Sequence, residues 1–294
     1  MIISQLTGGI GNQMFQYAFG RALSLKFNVQ IYLDTFSYNY DELRKYELDA
    51  FTIQEKIADT KMINTIKNQN PPIYTRLKFK LINKTIPSHF FPYFKEEKFS
   101  FNENTLLIPK QNVYLEGYWQ TEKYFNTFRS NLLKDFTLRN PIGEKARVFQ
   151  KLIENDQNSV AVHVRRGDYV QNEETKAYHG ICDLEYYKSA MENMKKEILN
   201  PTFFIFSDDK EYVKNTFSEF QNCIFIEGIE LDVEELFLMS ICKNNIIANS
   251  SFSWWGAWLN KNENKRVIAP KRWFLIEEMQ IQTEDLFPSD WIKI

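Results

Sequence analysis

The sequence predicts an α/β protein of two βαβ-type halves, each built on a parallel sheet. Three observations carry that expectation. In residues 160–269 five short, nearly continuous apolar runs alternate with helical patterns, as in a parallel sheet covered on both faces. A strand–turn–helix–strand series opens the chain over residues 1–34. Between the two series, Asn140, Pro141, Ile142 and Gly143 form a break. A length of 294 residues suits one large domain or two of ordinary size.

The first half begins with Ile2, Ile3 and Leu6, an apolar run punctuated by Gly8, Gly9 and Gly11. Met14, Ala18, Ala22 and Leu25 then recur at helical spacing. Residues 29–33 read as a second strand ending at Asp34. Residues 41–110 hold mixed helical segments followed by a stretch rich in Pro, Lys and aromatics. Val113, Tyr114 and Leu115 read as a strand, with a helix expected over residues 121–138. In the second half, strands are expected at 160–164, 203–206, 224–226, 245–248 and 266–269, and helices at 183–199, 209–217, 233–243 and 252–260. The expected domains are residues 1–145 and 146–294.

Hydrophobic residues make up 44% and charged residues 25%, enough for a real core and against general disorder. The 36 basic and 38 acidic side chains leave a net charge of −2, without the footprint of a nucleic-acid binder. Aromatics reach 16%, part for the core and the rest for flat surfaces that stack on bases or sugar rings. Cys182, Cys223 and Cys242 lack metal-ligand spacing and read as reduced thiols. The first residues do not form a signal peptide, and no apolar run reaches the ~18 residues of a membrane span. A cytoplasmic protein is expected.

Ligands of open parallel sheets sit at the carboxyl ends of the strands, so chemistry is sought there. Residues 160–169 deliver His163, then Arg165, Arg166 and Asp168. Two adjacent guanidiniums at a strand end suit a phosphate, because the planar fork donates paired hydrogen bonds and keeps its charge. The bland alternative is one solvated arginine and one paired with Asp168. Residues 203–209 end in Ser207, Asp208 and Asp209. One carboxylate suits the cap of the helix that follows. The other is then left to accept from the ring N–H and amino group of guanine.

The third strand end runs into Asn249, Ser250, Ser251, Phe252 and Ser253, with Trp254, Trp255 and Trp258 in the helix beyond. Backbone N–H groups and small hydroxyls at a helix start make an anion site, and Ser250 to Ser253 are expected to meet phosphate. The tryptophans fit the core better than a ligand. A fourth feature, Gly8, Gly9, Ile10, Gly11, Asn12 and Gln13, is neither the dinucleotide fingerprint nor a P-loop. It reads either as a plain strand–helix turn or as a tight turn whose backbone can approach a ligand at Gly9, with Asn12 and Gln13 as short polar donors.

Together these segments resemble the alpha-1,2-fucosyltransferases, glycosyltransferase family eleven, over nearly the whole chain. Residues 8–18 look like that family's opening block, and residues 163–169 like its His-x-Arg-Arg-x-Asp motif. Residues 206–209 and 250–256 look like its other donor blocks, and Gly117, Tyr118, Trp119, Gln120, Tyr124 and Phe125 like an acceptor block. The resemblance implies a GT-B fold, two Rossmann-like domains facing across a cleft, with acceptor on the first and GDP-fucose on the second. It implies transfer of fucose to the 2-hydroxyl of a galactose in a glycan, with inversion and without a metal or cofactor. By motif position Arg165 clamps the pyrophosphate, His163 and Asp208 or Asp209 meet the guanosine, and Ser250, Ser251 and Phe252 meet the phosphates.

The chemistry agrees with that implication. Departing GDP gains negative charge at its β-phosphate, which Arg165, Arg166 and a helix start can offset. Asp168 is the first candidate for removing the acceptor's proton and Glu116 the second, although Asp168 suits orienting an arginine as well. Rival readings are another GDP-sugar transferase and a non-catalytic glycan-binding protein. Residues 71–98, with Arg76, Lys78, Lys80, Lys84, Phe90, Phe91, Tyr93 and Phe94, read either as a packed insertion or as a peripheral contact with a membrane.

Overall fold

The computed structural model describes residues 1–54, 56–68, 73–82, 84–85, 92–108, 112–167 and 177–294. The chain divides into two compact units, Met1–Arg139 and Asn140–Ile294. That division places residues 140–145, expected in the first domain, with the second. A helix starts there at Glu144 and packs within the second unit, and Gly143 N donates to Glu234 Oε1 at 2.6 Å.

In the first unit the elements are β1 (Ile2–Gln5), α1 (Ile10–Phe27), β2 (Ile31–Asp34), α2 (Thr60–Lys67), α3 (Ile73–Leu81), β3 (Tyr93–Lys95), β4 (Val113–Glu116) and α4 (Arg129–Asp135). The strands form one parallel sheet in the order β2-β1-β4-β3. Gly8, at φ +75°, turns the chain from β1 into α1. Gln13 then ties the turn down, donating through Nε2 to Gly8 O at 3.0 Å and Lys45 O at 2.8 Å. Asn28 ends α1 in the left-handed conformation. Tyr17 and Arg21 of α1 both reach Asp135 of α4 at 2.8 Å.

Two expectations fail here. Residues 121–138 are not one helix: 3₁₀ turns at Glu122–Tyr124 and Asn126–Phe128 precede the short α4. Burial of Tyr124 and Phe125 against Phe19 and Phe15 of α1 sets that path, overriding helical periodicity. Strand β3 also went unread, being only three residues long.

The second unit contains α5 (Glu144–Asn155), β5 (Ser159–Val164), α6 (Leu184–Glu197), β6 (Thr202–Ser207), α7 (Lys210–Phe217), β7 (Cys223–Phe225), α8 (Asp232–Ile241), β8 (Asn244–Ile246), α9 (Ser251–Leu259), β9 (Val267–Ala269), α10 (Glu277–Gln280) and β10 (Ile292–Lys293). Its six parallel strands run β10-β9-β8-β5-β6-β7. Every residue of β5 is buried, as the apolar run requires of a central strand. On one side Val160, Val162 and Val164 pack with Tyr187, Met191 and Met194 of α6. Pairing of Val164 with Ser207 and of Val162 with Ile246 brings three strand ends to one edge of the sheet. All six tryptophans are buried, so the tryptophans go to the core rather than to stacking surfaces.

Candidate active site

At the carboxyl edge of the second sheet, β5 delivers Arg165 and Arg166 beside Asp208 and Asp209 at the end of β6. Arg165 Nη1 meets Asp208 Oδ2 at 2.8 Å, and the Arg166 backbone N–H donates to Asp208 Oδ1 at 2.8 Å. One carboxylate therefore holds a guanidinium and the turn that follows it. Gly167 permits this closeness: a Cβ there would lie 2.5 Å from Asp208 Oδ2.

Arg166 is braced differently. Its Nε donates to Asp209 Oδ2 at 3.2 Å, and its guanidinium lies 3.6 Å from the centroid of the Tyr212 ring. Asp209 also caps α7, accepting from Tyr212 N at 3.0 Å. The expected cap is thus present. Asp208, the carboxylate expected to be left for guanine, accepts from the Arg165 guanidinium and the Arg166 N–H as well. Asp168 lies outside the described residues.

His163 sits one residue before the end of β5 and is 3% exposed. Burial drives its pKa down to about 3, against the opposing Asp208 carboxylate, so the ring is neutral at physiological pH. Its Nδ1 is buried and has no hydrogen-bond partner among the described residues. The ring centroid lies 5.4 Å from that of Phe252 in α9. This contact joins the arginine-bearing strand end to the start of α9.

Ser250 stands at the cap position of α9 without a side-chain cap hydrogen bond. Ser251 and Phe252 are half-buried in its first turn, where helical N–H groups lack intrahelical acceptors. Ser253 departs from expectation. It is fully buried and donates to Ser250 O at 3.1 Å and Ala248 O at 3.3 Å, so it braces the turn. Asn249 is likewise buried, its Nδ2 within 2.9 Å of His179 O and 3.3 Å of Gly180 O and Trp273 O. It positions the loop and does not reach outward. Trp254, Trp255 and Trp258 are core residues.

Gly9 and Asn12 stand in the first unit, where Gly9 caps α1 and Asn12 Oδ1 accepts from Gln120 Nε2 at 2.8 Å. The carboxyl edge of this sheet holds a group that sequence reading missed, Glu96. Its Oε2 accepts from Tyr118 N at 2.7 Å and its Oε1 from Trp119 N at 3.0 Å. These bonds hold a turn in which Trp119 takes φ +58°, a costly conformation for a bulky residue. Burial raises the Glu96 pKa to about 7, although both N–H groups pull it down. Glu116, the second candidate base, is different. It accepts from Tyr93 at 2.7 Å and pairs with Lys95 at 2.8 Å and Lys67 at 3.6 Å. Its pKa is lowered by Lys95, Tyr93 and Lys67 against its own burial, which leaves it a structural anion and a poor base.

Two Rossmann-like units on parallel sheets, the second with paired arginines and a helix start on one edge, are the elements of the GT-B fold. The chain belongs to glycosyl transferase family 11, whose model matches residues 2–294. It is 37% identical to an alpha-1,2-colitosyltransferase of Escherichia coli, over 100% of this chain and 99% of that protein. To the O-antigen biosynthesis glycosyltransferase WbnK of Escherichia coli it is 33% identical, over 99% of each. A galactoside 2-alpha-L-fucosyltransferase Sec1 of Mus musculus is 28% identical over 52% of this chain and 43% of its own. The crystal structure of the fucosyltransferase NodZ from Bradyrhizobium matches the fold at a TM-score of 0.50 and 13% identity, covering 87% of this chain and 91% of that one.

Proposed function

We propose that the protein transfers L-fucose from GDP-fucose to the 2-hydroxyl of a galactose residue in a glycan, with inversion and without a metal. The observation that carries this reading is Arg165, fixed by Asp208 at the end of β5 and tied through His163 and Phe252 to the start of α9. A cation and a helix start on one sheet edge suit a diphosphate that gains charge as its sugar leaves. The second unit takes the donor and the first the acceptor, and Asp208 and Asp209 act by bracing the arginines. Glu96, whose pKa lies near neutrality, takes the proton of the acceptor hydroxyl. The neutral His163 offers Nδ1 to the nucleotide.

A second reading is favoured by the 37% identity to a colitosyltransferase. Colitose is the 3-deoxy form of L-fucose, so the two readings differ by one hydroxyl on the transferred sugar. The test incubates the protein with GDP-fucose or GDP-colitose, galactose-terminated glycans and excess chelator, and maps the product linkage. Fucose on the galactose 2-hydroxyl supports the proposal. Transfer of colitose alone, another linkage, or an activity that collapses with chelator and returns with Mn²⁺ overturns it.

A further inference from the structure

From Thr60 through Lys95 the chain runs 36 residues without an acidic side chain and carries seven basic ones. The remainder holds 29 basic against 38 acidic residues, so this cationic stretch is set in an acidic chain. Helix α3 lies inside it. Ile73, Tyr74, Leu77 and Leu81 are all exposed, with Ile82 just beyond, from 50% at Ile82 to 86% at Leu81. Thr75 is buried and marks the side that packs on the protein.

At about 100° per residue, Ile73, Leu77, Leu81 and Tyr74 fall within one arc of roughly 100°. Lys78 lies about 40° beyond one border of that arc and Lys80 about 20° beyond the other. Both lysines are exposed, as are Arg76 and Lys84. An apolar stripe flanked on both sides by cations fits a surface with negative charge at its rim and hydrocarbon beneath, which is a bilayer of anionic lipid. A protein partner of ordinary composition does not require cations along both borders of so short a helix.

We propose that the exposed face of α3 is a docking surface for anionic lipid bilayers, with Ile73, Leu77 and Leu81 entering the interface and Lys78 and Lys80 meeting the headgroups. The helix spans only nine residues, about 13 Å, so it lies in the surface and does not cross it. This inference is independent of the choice of donor and acceptor, because lipid binding is read without any sugar present.

The test sediments the full chain with vesicles of phosphatidylglycerol mixed into phosphatidylcholine, and with phosphatidylcholine alone. Binding is expected to the anionic vesicles and to weaken steeply with salt. Lys78→Glu with Lys80→Glu is expected to weaken it at least about twenty-five-fold, from roughly fivefold per cation lost. Leu77→Ser with Leu81→Ser is expected to weaken it as well, while transfer to a soluble glycan stays unchanged in both variants. Equal sedimentation with both vesicle types, or anionic binding that neither variant changes, overturns the proposal. A dimer in sedimentation velocity that Leu77→Ser with Leu81→Ser dissolves would instead make this face a contact between copies, and also overturns it.

Discussion

Arg165 separates charge from geometry within a single side chain. Arg165→Lys keeps a cation able to pair with Asp208 but replaces a planar fork by a point donor on a flexible stem. Turnover is expected to fall at least ~10²-fold, comparable to losing one preorganised donor, while GDP affinity falls less. Circular dichroism and titration with GDP check folding and binding, and a folded variant transferring fucose near the wild-type rate sinks the clamp. Glu96→Gln examines the proton's acceptor. With the Glu96 pKa near 7, wild-type turnover should rise as pH passes through about 7, and the variant should be slow and lose that limb. Linkage runs the other way for stability. The neutral carboxyl's contribution is full below about 4.5 and is lost as pH rises through about 7. A variant with an unchanged pH profile leaves Glu96 only its bonds to Tyr118 and Trp119. The placement of His163, Arg165 and Asp208 at strand ends was legible because each stands at the close of a buried apolar run. Glu96 was not, since its meaning depends on backbone 22 residues further along the chain.

Among the elements, the strands of the second unit were read within a few residues because burial on both faces writes them as continuous apolar runs. Helix α5 went unread although Ala146, Phe149 and Ile153 recur at helical spacing; of its residues Ala146 and Ile153 are buried. Strand β10, two residues long, offers no pattern at all. The link from β5 to β6 makes its own prediction through Gly167. A methyl there would press on the Asp208 oxygen that holds Arg165, and cannot be accommodated without moving it. Gly167→Ala should therefore lower turnover about tenfold to a hundredfold through misplacement of the arginine, with a much smaller change in melting temperature. Steady-state kinetics beside thermal unfolding decide it, and a variant as active as the wild type would show that Asp208 does not set the position of Arg165.

For the molecule as a whole, two parallel units were legible because the break at residues 140–143 falls close to the division at Arg139. For Trp254, Trp255 and Trp258 the spacing already pointed to the core, whereas composition alone cannot place the other aromatics in core or surface. The near-neutral total conceals a further division. Residues 1–139 hold 18 basic and 13 acidic side chains, and residues 140–294 hold 18 and 25, so the units carry formal charges of +5 and −7. Viewed from afar the protein is a weak anion that a negative surface repels. A negative surface therefore attracts residues 1–139 and repels residues 140–294 wherever either comes within the ~8 Å reach of charge at physiological salt, and a rise in ionic strength weakens both effects.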